Sequence, residues 1–299
     1  MGAEFSLRRF LTDLGNVATV LDAPFSEPAN RRALQVYADR FIDGPVLLRT
    51  TDRPGDPLNY RFYARKRKDT VGVAVGAGLL TANASLVPLI QSWSALHGGR
   101  PEQSCDFDAG RGLAKTCVYL GGTIPLDDVL GVRGVPRTVR RHAPLFADLG
   151  LTSCRHVSVD YLNNAVTLYF RAPGPLTDEQ CVRFTQIVDA TPPERKLAQE
   201  MQRYLRVRAY TFSVTISVET GKLERVGFYA VKLPAGNFPK INGRLSLFFS
   251  LAPSYDAEES NAVRWSFGGG GKTYVEAERS CFSGVSAAQP MPRVIHAAG

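Results

Sequence analysis

The chain has 299 residues, 44% hydrophobic and 21% charged, and its Lys and Arg outnumber Asp and Glu 36 to 28 for a formal charge of +8. That composition is globular, long enough for one large domain or two ordinary ones, and has no apolar run near the ~18 residues of a membrane span. Five scattered cysteines (Cys105, Cys117, Cys154, Cys181, Cys281) include no CxxC pair, so neither a disulfide framework nor a metal cluster is indicated.

The N-terminal stretch MGAEFSLRRFLTDLG mixes acids and bases on a helical period and lacks the apolar core of a secretory signal, so a cytoplasmic protein is expected. Residues 5–43 predict two helices: Phe5, Leu7, Phe10, Leu11 and Leu14 recur at helical spacing, and Pro24 and Pro28 interrupt before ALQVYADRFI resumes. GPVLLRTTD and LNYRFYARKRK predict a hairpin around RPGDP. Asp69 to Leu80 and Leu86 to Leu96 read as helices. QSCDFDAG and GLAKTCVYLGG form a second hairpin around Gly110–Gly112, and Val139 to Leu149 is helical. TSCRHVSVDYL and AVTLYF flank Asn163-Asn164, a pair suited to a tight turn with positive φ. Helices over Thr177 to Ala190 and Glu194 to Leu205 follow, divided at Pro192-Pro193. A fourth hairpin turns at Glu219–Lys222, a helix lies near Asn242–Leu251, and a fifth hairpin turns in the glycine run of NAVRWSFGGGGKTYVEAERSCF.

Helical stretches and hairpins thus alternate about five times at a spacing of roughly 50 residues, in the range of structural repeats. Successive hairpins imply antiparallel pairing. The fold class is α+β: about ten antiparallel strands closing into one barrel ringed by helices, because closure removes the edges. An open sheet with helices on one face is the rival architecture. Residues 1–285 are expected to form a single barrel domain, with 286–299 as a C-terminal tail.

Strand parity divides the side chains into two faces. Val157, Val159, Val166, Leu168, Phe170, Phe212, Val214, Ile216, Val226 and Phe228 define an apolar face. Helices outside a barrel need that face outward, so the polar face looks inward. The interior therefore carries Arg49, Arg61, Lys115, Arg225 and Arg264, interleaved with Tyr63, Tyr119, Tyr169, Tyr229 and Tyr274. Clustered buried cations are unfavourable unless an anion joins them, and phosphate oxygens suit Arg and Lys. The opposing reading pairs these cations with Asp106, Asp108, Asp160, Glu276 and Glu278. Nucleic-acid binding would need an exposed basic face, for which Arg65–Lys68 is the sole candidate, and it is not expected.

The segments TTDRPGDPLNYRFYARKRKDTVG, QSCDFDAGRGLAKT, VDYLNNAVTLYFRAPGPL, ETGKLERVGFYAVKLP, LAPSYDAEESNAVRWSFG and YVEAERS resemble, in order, the αββα (ABBA) aromatic prenyltransferases. The resemblance is to the aminocoumarin-pathway branch that dimethylallylates 4-hydroxyphenylpyruvate. It implies a ten-stranded barrel whose lumen moves a dimethylallyl group from dimethylallyl diphosphate to a small phenolic acceptor, releasing diphosphate. It implies Arg49, Arg61, Lys115, Tyr169 and Arg225 as diphosphate ligands, joined by Tyr274 of the same face. Glu278 is the implied catalytic carboxylate, and Cys117, Tyr119, Ser213, Tyr229 and Arg264 line the substrate pocket. Some relatives place a magnesium-holding Asp at the position of Arg61, so no metal or other cofactor is expected here. The remaining partner expectations are a prenyl diphosphate donor, an aromatic acceptor, no membrane and a monomer.

The chain departs from the family pattern at Asn163, Asn164 and Glu276, where relatives are often basic, and at Cys117, where they carry a larger aromatic residue. The smaller Cys117 leaves geranyl diphosphate open as donor, and hydroxynaphthalene, phenazine or indole acceptors stay open too. A reading from another class is a barrel that binds an anionic aromatic ligand without chemistry.

Overall fold

The computed structural model describes residues 5–63, 69–81, 86–96, 102–233, 236–255 and 260–282; the Arg65–Lys68 run and the 286–299 tail lie outside them. Three helices open the chain: α1 (Leu7–Val20), α2 (Glu27–Val36) and α3 (Ala38–Asp43). Ser6 and Ser26 cap the first two by accepting backbone N–H groups. The second predicted helix is broken at Tyr37, whose hydroxyl donates to the carbonyl of Thr70 at 2.7 Å. Strands β1 (Val46–Thr51) and β2 (Asn59–Tyr63) form the first hairpin. They are followed by α4 (Thr70–Gly76) and α5 (Val87–Ala95), then β3 (Glu102–Asp108) and β4 (Gly112–Pro125).

The predicted helix over 139–149 is divided. It falls into α7 (Arg137–Arg140) and α8 (Ala143–Asp148), and α6 (Leu126–Gly131), not expected from the sequence, precedes them. Pro144 lacks an N–H and crowds the preceding turn, so α8 starts afresh there. Next come β5 (Ser153–Asp160) and β6 (Ala165–Pro173), α9 (Asp178–Gln186), α10 (Arg195–Tyr204), β7 (Ala209–Ser217) and β8 (Leu223–Leu233), α11 (Gly243–Leu251), β9 (Asn261–Gly268) and β10 (Tyr274–Phe282). Asn164 turns the third hairpin at φ 47°, as its residue type predicts.

Every strand pairs antiparallel with its neighbours in sequence, and β1 pairs with β10 from Val46↔Phe282 to Thr51↔Glu276. The barrel is closed, which excludes the open sheet. Its outer face is mostly apolar, with a few buried polar side chains such as Gln103 and Thr116 that are hydrogen-bonded there. Tyr60, Phe62 and Phe107 of β2 and β3 are buried against α1 to α3, while Val157, Leu168, Phe212, Phe228 and Trp265 are buried against the later helices. Each fully buried aromatic or aliphatic side chain of this kind contributes about 1.5–3 kcal/mol relative to exposure. The apolar surface of the strands is thus consumed outside, which leaves the lumen to polar groups. Among the described residues, no helix is long and apolar enough to cross a membrane.

Candidate active site

All five cations assigned inward by parity line the lumen, one each from β1 (Arg49), β2 (Arg61), β4 (Lys115), β8 (Arg225) and β9 (Arg264). The register sets carboxylates beside them: Arg61↔Asp106, Asp106↔Lys115, Lys115↔Asp160, Arg264↔Glu276 and Arg49↔Glu278 are Cα partners. Asp106, only 3% exposed, accepts from Arg49 Nη2 at 2.9 Å and from Arg61 through both Nη2, at 2.9 Å, and Nε. Lys115 Nζ lies 2.9 Å from Asp160 Oδ2. Glu276 Oε2 accepts from Arg264 Nη2 at 2.7 Å and stands 3.6 Å from Arg49 Nε. Arg61 Nη1 donates to the Tyr63 hydroxyl at 2.8 Å and sits 3.6 Å from Glu278 Oε2.

Four of the five cations are therefore partnered by protein carboxylates, as the opposing sequence reading has it for four of its five acids. Asp108 is the exception, because it closes the β3–β4 turn by accepting from Arg111 and from the backbone N–H of Gly110. Arg225 makes no ion pair among the described residues; it donates to the Tyr274 hydroxyl at 2.6 Å and to Thr215 at 3.3 Å. Among the described residues, four carboxylates (Asp106, Asp160, Glu276 and Glu278) stand against these five cations, one negative charge fewer than positive. Among the described residues, the buried Nε groups of Arg49 and Arg264 have no hydrogen-bond partner. Buried donors left unsatisfied are unfavourable until an acceptor reaches them.

Electrostatics follow from this packing. Burial alone would raise the carboxyls of Asp106 and Glu276. Arg61 and Arg49 outweigh it at Asp106, and Arg264 and Arg49 at Glu276, so both are held below the usual range. Burial pulls the Lys115 ammonium down against the opposing pull of Asp160. Burial would raise the Tyr274 phenol, but Arg264 and Arg225 outweigh it and hold it below the ordinary tyrosine value.

The lumen has two tiers along the barrel axis. Lys115, Asp160, Thr167, Thr215, Arg225 and Tyr274 lie near the hairpin turns. Tyr63, Cys117, Tyr119, His156, Tyr169, Tyr229 and Glu278 lie further from them on the same strands. Tyr169 packs 6.0 Å from Tyr229, and His156 stands between Tyr119 at 5.0 Å and Tyr169 at 6.3 Å. Burial raises the Tyr169 and Tyr63 phenols and pushes the Cys117 thiol up to about 11, so beside the Glu278 carboxylate these groups of the tier are neutral. Burial, with Arg155 and Arg61 adding to it, lowers His156 to about 3 and keeps the imidazole neutral.

Of the predicted diphosphate set, Arg49, Arg61, Lys115, Arg225 and Tyr274 converge, whereas Tyr169 stands in the tyrosine tier beside Ser158. Arg264, expected in the substrate pocket, joins the cation cluster through Glu276 and Tyr274 while also donating to Tyr229 at 2.9 Å. Ser213, Tyr119, Tyr229 and Cys117 lie on the lumen wall as expected. Two residues escaped sequence reasoning. His156 has the right parity but no motif around it. Arg155 is re-aimed by a register shift between Cys154 and His156, and its guanidinium lies 5.5 Å from the centre of the lumen-facing Tyr119 ring.

A barrel with a cationic tier beside a neutral aromatic one can hold a diphosphate at one level and an aromatic ring at the other. The family described as aromatic prenyltransferase Orf2 matches residues 5–288. The chain belongs to that family. It is 51% identical over 283 residues to an aromatic prenyltransferase of Sclerotinia sclerotiorum, covering 93% of this chain and 91% of that one. It is 41% identical over 280 residues to the 4-hydroxyphenylpyruvate 3-dimethylallyltransferase of Streptomyces niveus, covering 94% and 86%. In fold it is similar to 5-dimethylallyltryptophan synthase from Streptomyces coelicolor, with a TM-score of 0.63 at 10% identity over 93% and 97% of the two chains. This aromatic prenyltransferase is accordingly an enzyme, which sets aside the reading as a binding barrel without chemistry.

Proposed function

We propose that the enzyme transfers a dimethylallyl group from dimethylallyl diphosphate to a small phenolic acceptor such as 4-hydroxyphenylpyruvate, by electrophilic aromatic substitution. The observation that carries this reading is the cationic tier, in which Arg225 makes no ion pair among the described residues and the guanidinium Nε groups of Arg49 and Arg264 lack a hydrogen bond there, set directly beside the tyrosine tier. The name of the Streptomyces niveus relative supports the choice of donor and acceptor.

In this reading Arg49, Arg61, Lys115, Arg225 and Tyr274, with Tyr169 reaching from the adjoining tier, bind the diphosphate. As the donor's C–O bond breaks, its electron pair leaves on the diphosphate oxygen, where fixed cations stabilise the developing charge. The allylic cation is sheltered by tyrosine faces, each contact contributing roughly 0.5–2 kcal/mol. The ring π electrons form the new C–C bond, for which the barrel holds the reacting carbons about 3–3.5 Å apart. Glu278 accepts a hydrogen bond from the acceptor's phenol, raising the ring's electron density, and takes up the proton lost when aromaticity returns. Arg61 supplies charge that a metal ion would otherwise bring, so turnover is expected to be independent of magnesium.

The test is turnover of 4-hydroxyphenylpyruvate with dimethylallyl or geranyl diphosphate, read by mass spectrometry and released diphosphate, with and without EDTA. A dimethylallylated acceptor with equimolar diphosphate, unaffected by EDTA, is the expected result. Arg61→Ala and Glu278→Ala should each lower kcat/KM by about 100-fold or more. No diphosphate released from the donor with any acceptor of a phenolic panel, or full activity in both variants, would overturn the assignment.

A further inference from the structure

We propose that Glu276 is a built-in competitor of diphosphate for Arg49 and Arg264, and thereby sets how weakly donor and diphosphate product are held. The proposal rests on the reading of the cationic tier as the diphosphate site. A single oxygen, Glu276 Oε2, is shared between the two guanidiniums, at 2.7 Å from Arg264 Nη2 and 3.6 Å from Arg49 Nε. The residue sits two positions after Tyr274, whose hydroxyl receives both Arg225 and Arg264. Its carboxylate is therefore placed among the groups assigned to diphosphate.

The other lumen acids differ. Asp106 binds Arg49 and Arg61 through close hydrogen bonds to both of its oxygens, and Asp160 is tied to Lys115 and to Asn163 of the adjoining turn. Those two acids are fixed parts of the wall. Glu276 satisfies Arg264 only through Nη2 and leaves the Nε of both Arg264 and Arg49 without a hydrogen bond. A diphosphate brings more oxygens and more charge than one carboxylate and reaches donors that Glu276 leaves unmet. It must also overcome the repulsion of the carboxylate, which is held ionised by Arg264, Arg49, Arg225 and Lys115. At such separations, in a lumen only partly shielded by water, like-charge repulsion lowers affinity by about tenfold or more. The same carboxylate re-engages both arginines as diphosphate departs, which favours release of the product.

The experiment is calorimetric titration of the full chain with sodium pyrophosphate, alongside its inhibition constant in the turnover assay. Glu276→Gln retains shape and an acceptor for Arg264 but loses the charge, and Glu276→Thr loses the charge and shortens the side chain; thermal melts establish that each is folded. Both neutral variants should bind pyrophosphate about tenfold or more tightly than the wild type and be more strongly inhibited by it. Glu276→Asp keeps the charge and should stay within about threefold of the wild type. Unchanged or weaker binding in the folded neutral variants overturns the proposal, because the carboxylate would then be positioning the arginines. Arg225→Ala separates the two readings. If it leaves pyrophosphate binding intact, or the wild type binds none, the diphosphate site itself is misassigned. If it abolishes binding while the neutral variants gain nothing, the role of Glu276 alone is wrong.

Discussion

At the scale of single residues, the lumen is governed by how burial and partners divide the charges. His156 is held at about 3 in the folded protein, against about 6.5 for an unfolded histidine. Between those values the unfolded chain binds a proton that the folded chain refuses. The stability His156 contributes is fully present above pH 6.5 and is lost as pH falls toward 3. His156→Gln should therefore remove roughly 2 kcal/mol of the stability lost between pH 7 and 4.5, as urea unfolding at the two pH values would show. Equal losses in variant and wild type would mean that the imidazole protonates in place. Asp106 and Glu276 act in the same direction at lower pH, since their folded values are depressed and acid must protonate them first.

Asp106 also has a direct structural role. It is nearly inaccessible and holds two guanidiniums, so Asp106→Asn leaves both short of counter-charge and should destabilise the fold by about 3 kcal/mol. The midpoint of urea unfolding measures this. An unchanged midpoint would show that Arg49 and Arg61 find other partners.

At the scale of elements, each hairpin presents one apolar and one polar face, and the polar faces only become a site when register aligns them. Gly227 of β8 shows how closely the wall is fitted. A methyl group there would come within 2.8 Å of Arg264 Cδ and 2.9 Å of Ser213 Oγ, so the stem of Arg264 lies flat where a side chain would stand. Gly227→Ala should lower kcat/KM by about tenfold or more by moving Arg264, with only a small change in melting temperature. Steady-state kinetics beside a thermal melt distinguishes this from general destabilisation.

The alternation in LNYRF, LAKTCVY, LERVGFY and NAVRWSF made the inward cations legible, because a period of two fixes which side chains share a face. The five hairpins and their order were legible for the same reason. The ion-pair partners were not, since Arg61 and Asp106 lie 45 positions apart and only the register joins them. Glu276 illustrates the limit: alternation places it inward but cannot say that it sits between two arginines. Nor could alternation show Arg155 over Tyr119, because a bulge breaks the very period used to read it. The division of the 139–149 helix was missed because the apolar spacing continues across Pro144.

At the scale of the molecule, closure makes the site a property of the whole barrel. The lumen cations come from four of the five hairpins, and β10 adds Tyr274, Glu276 and Glu278 while sealing β1. A chain ending at residue 259 would leave β1 and β8 as open edges and is expected to aggregate rather than yield a smaller active barrel. Sedimentation and turnover of the truncated protein test this. For the intact chain, the fluorescence of Trp93 on α5 and Trp265 on β9 should change in one transition coincident with the loss of far-ultraviolet ellipticity.

The seam between β1 and β10 has one more consequence. The ring of Phe5, before α1, lies 5.3 Å from the ring of Phe282 at the end of β10, and Val46 is the register partner of that same residue. A short linker from residue 282 back to residue 5 would therefore make the backbone a continuous loop. New chain ends could then be cut at an outer turn such as Gly270–Gly271, giving a circular permutant that keeps the barrel, the lumen and the prenyl transfer.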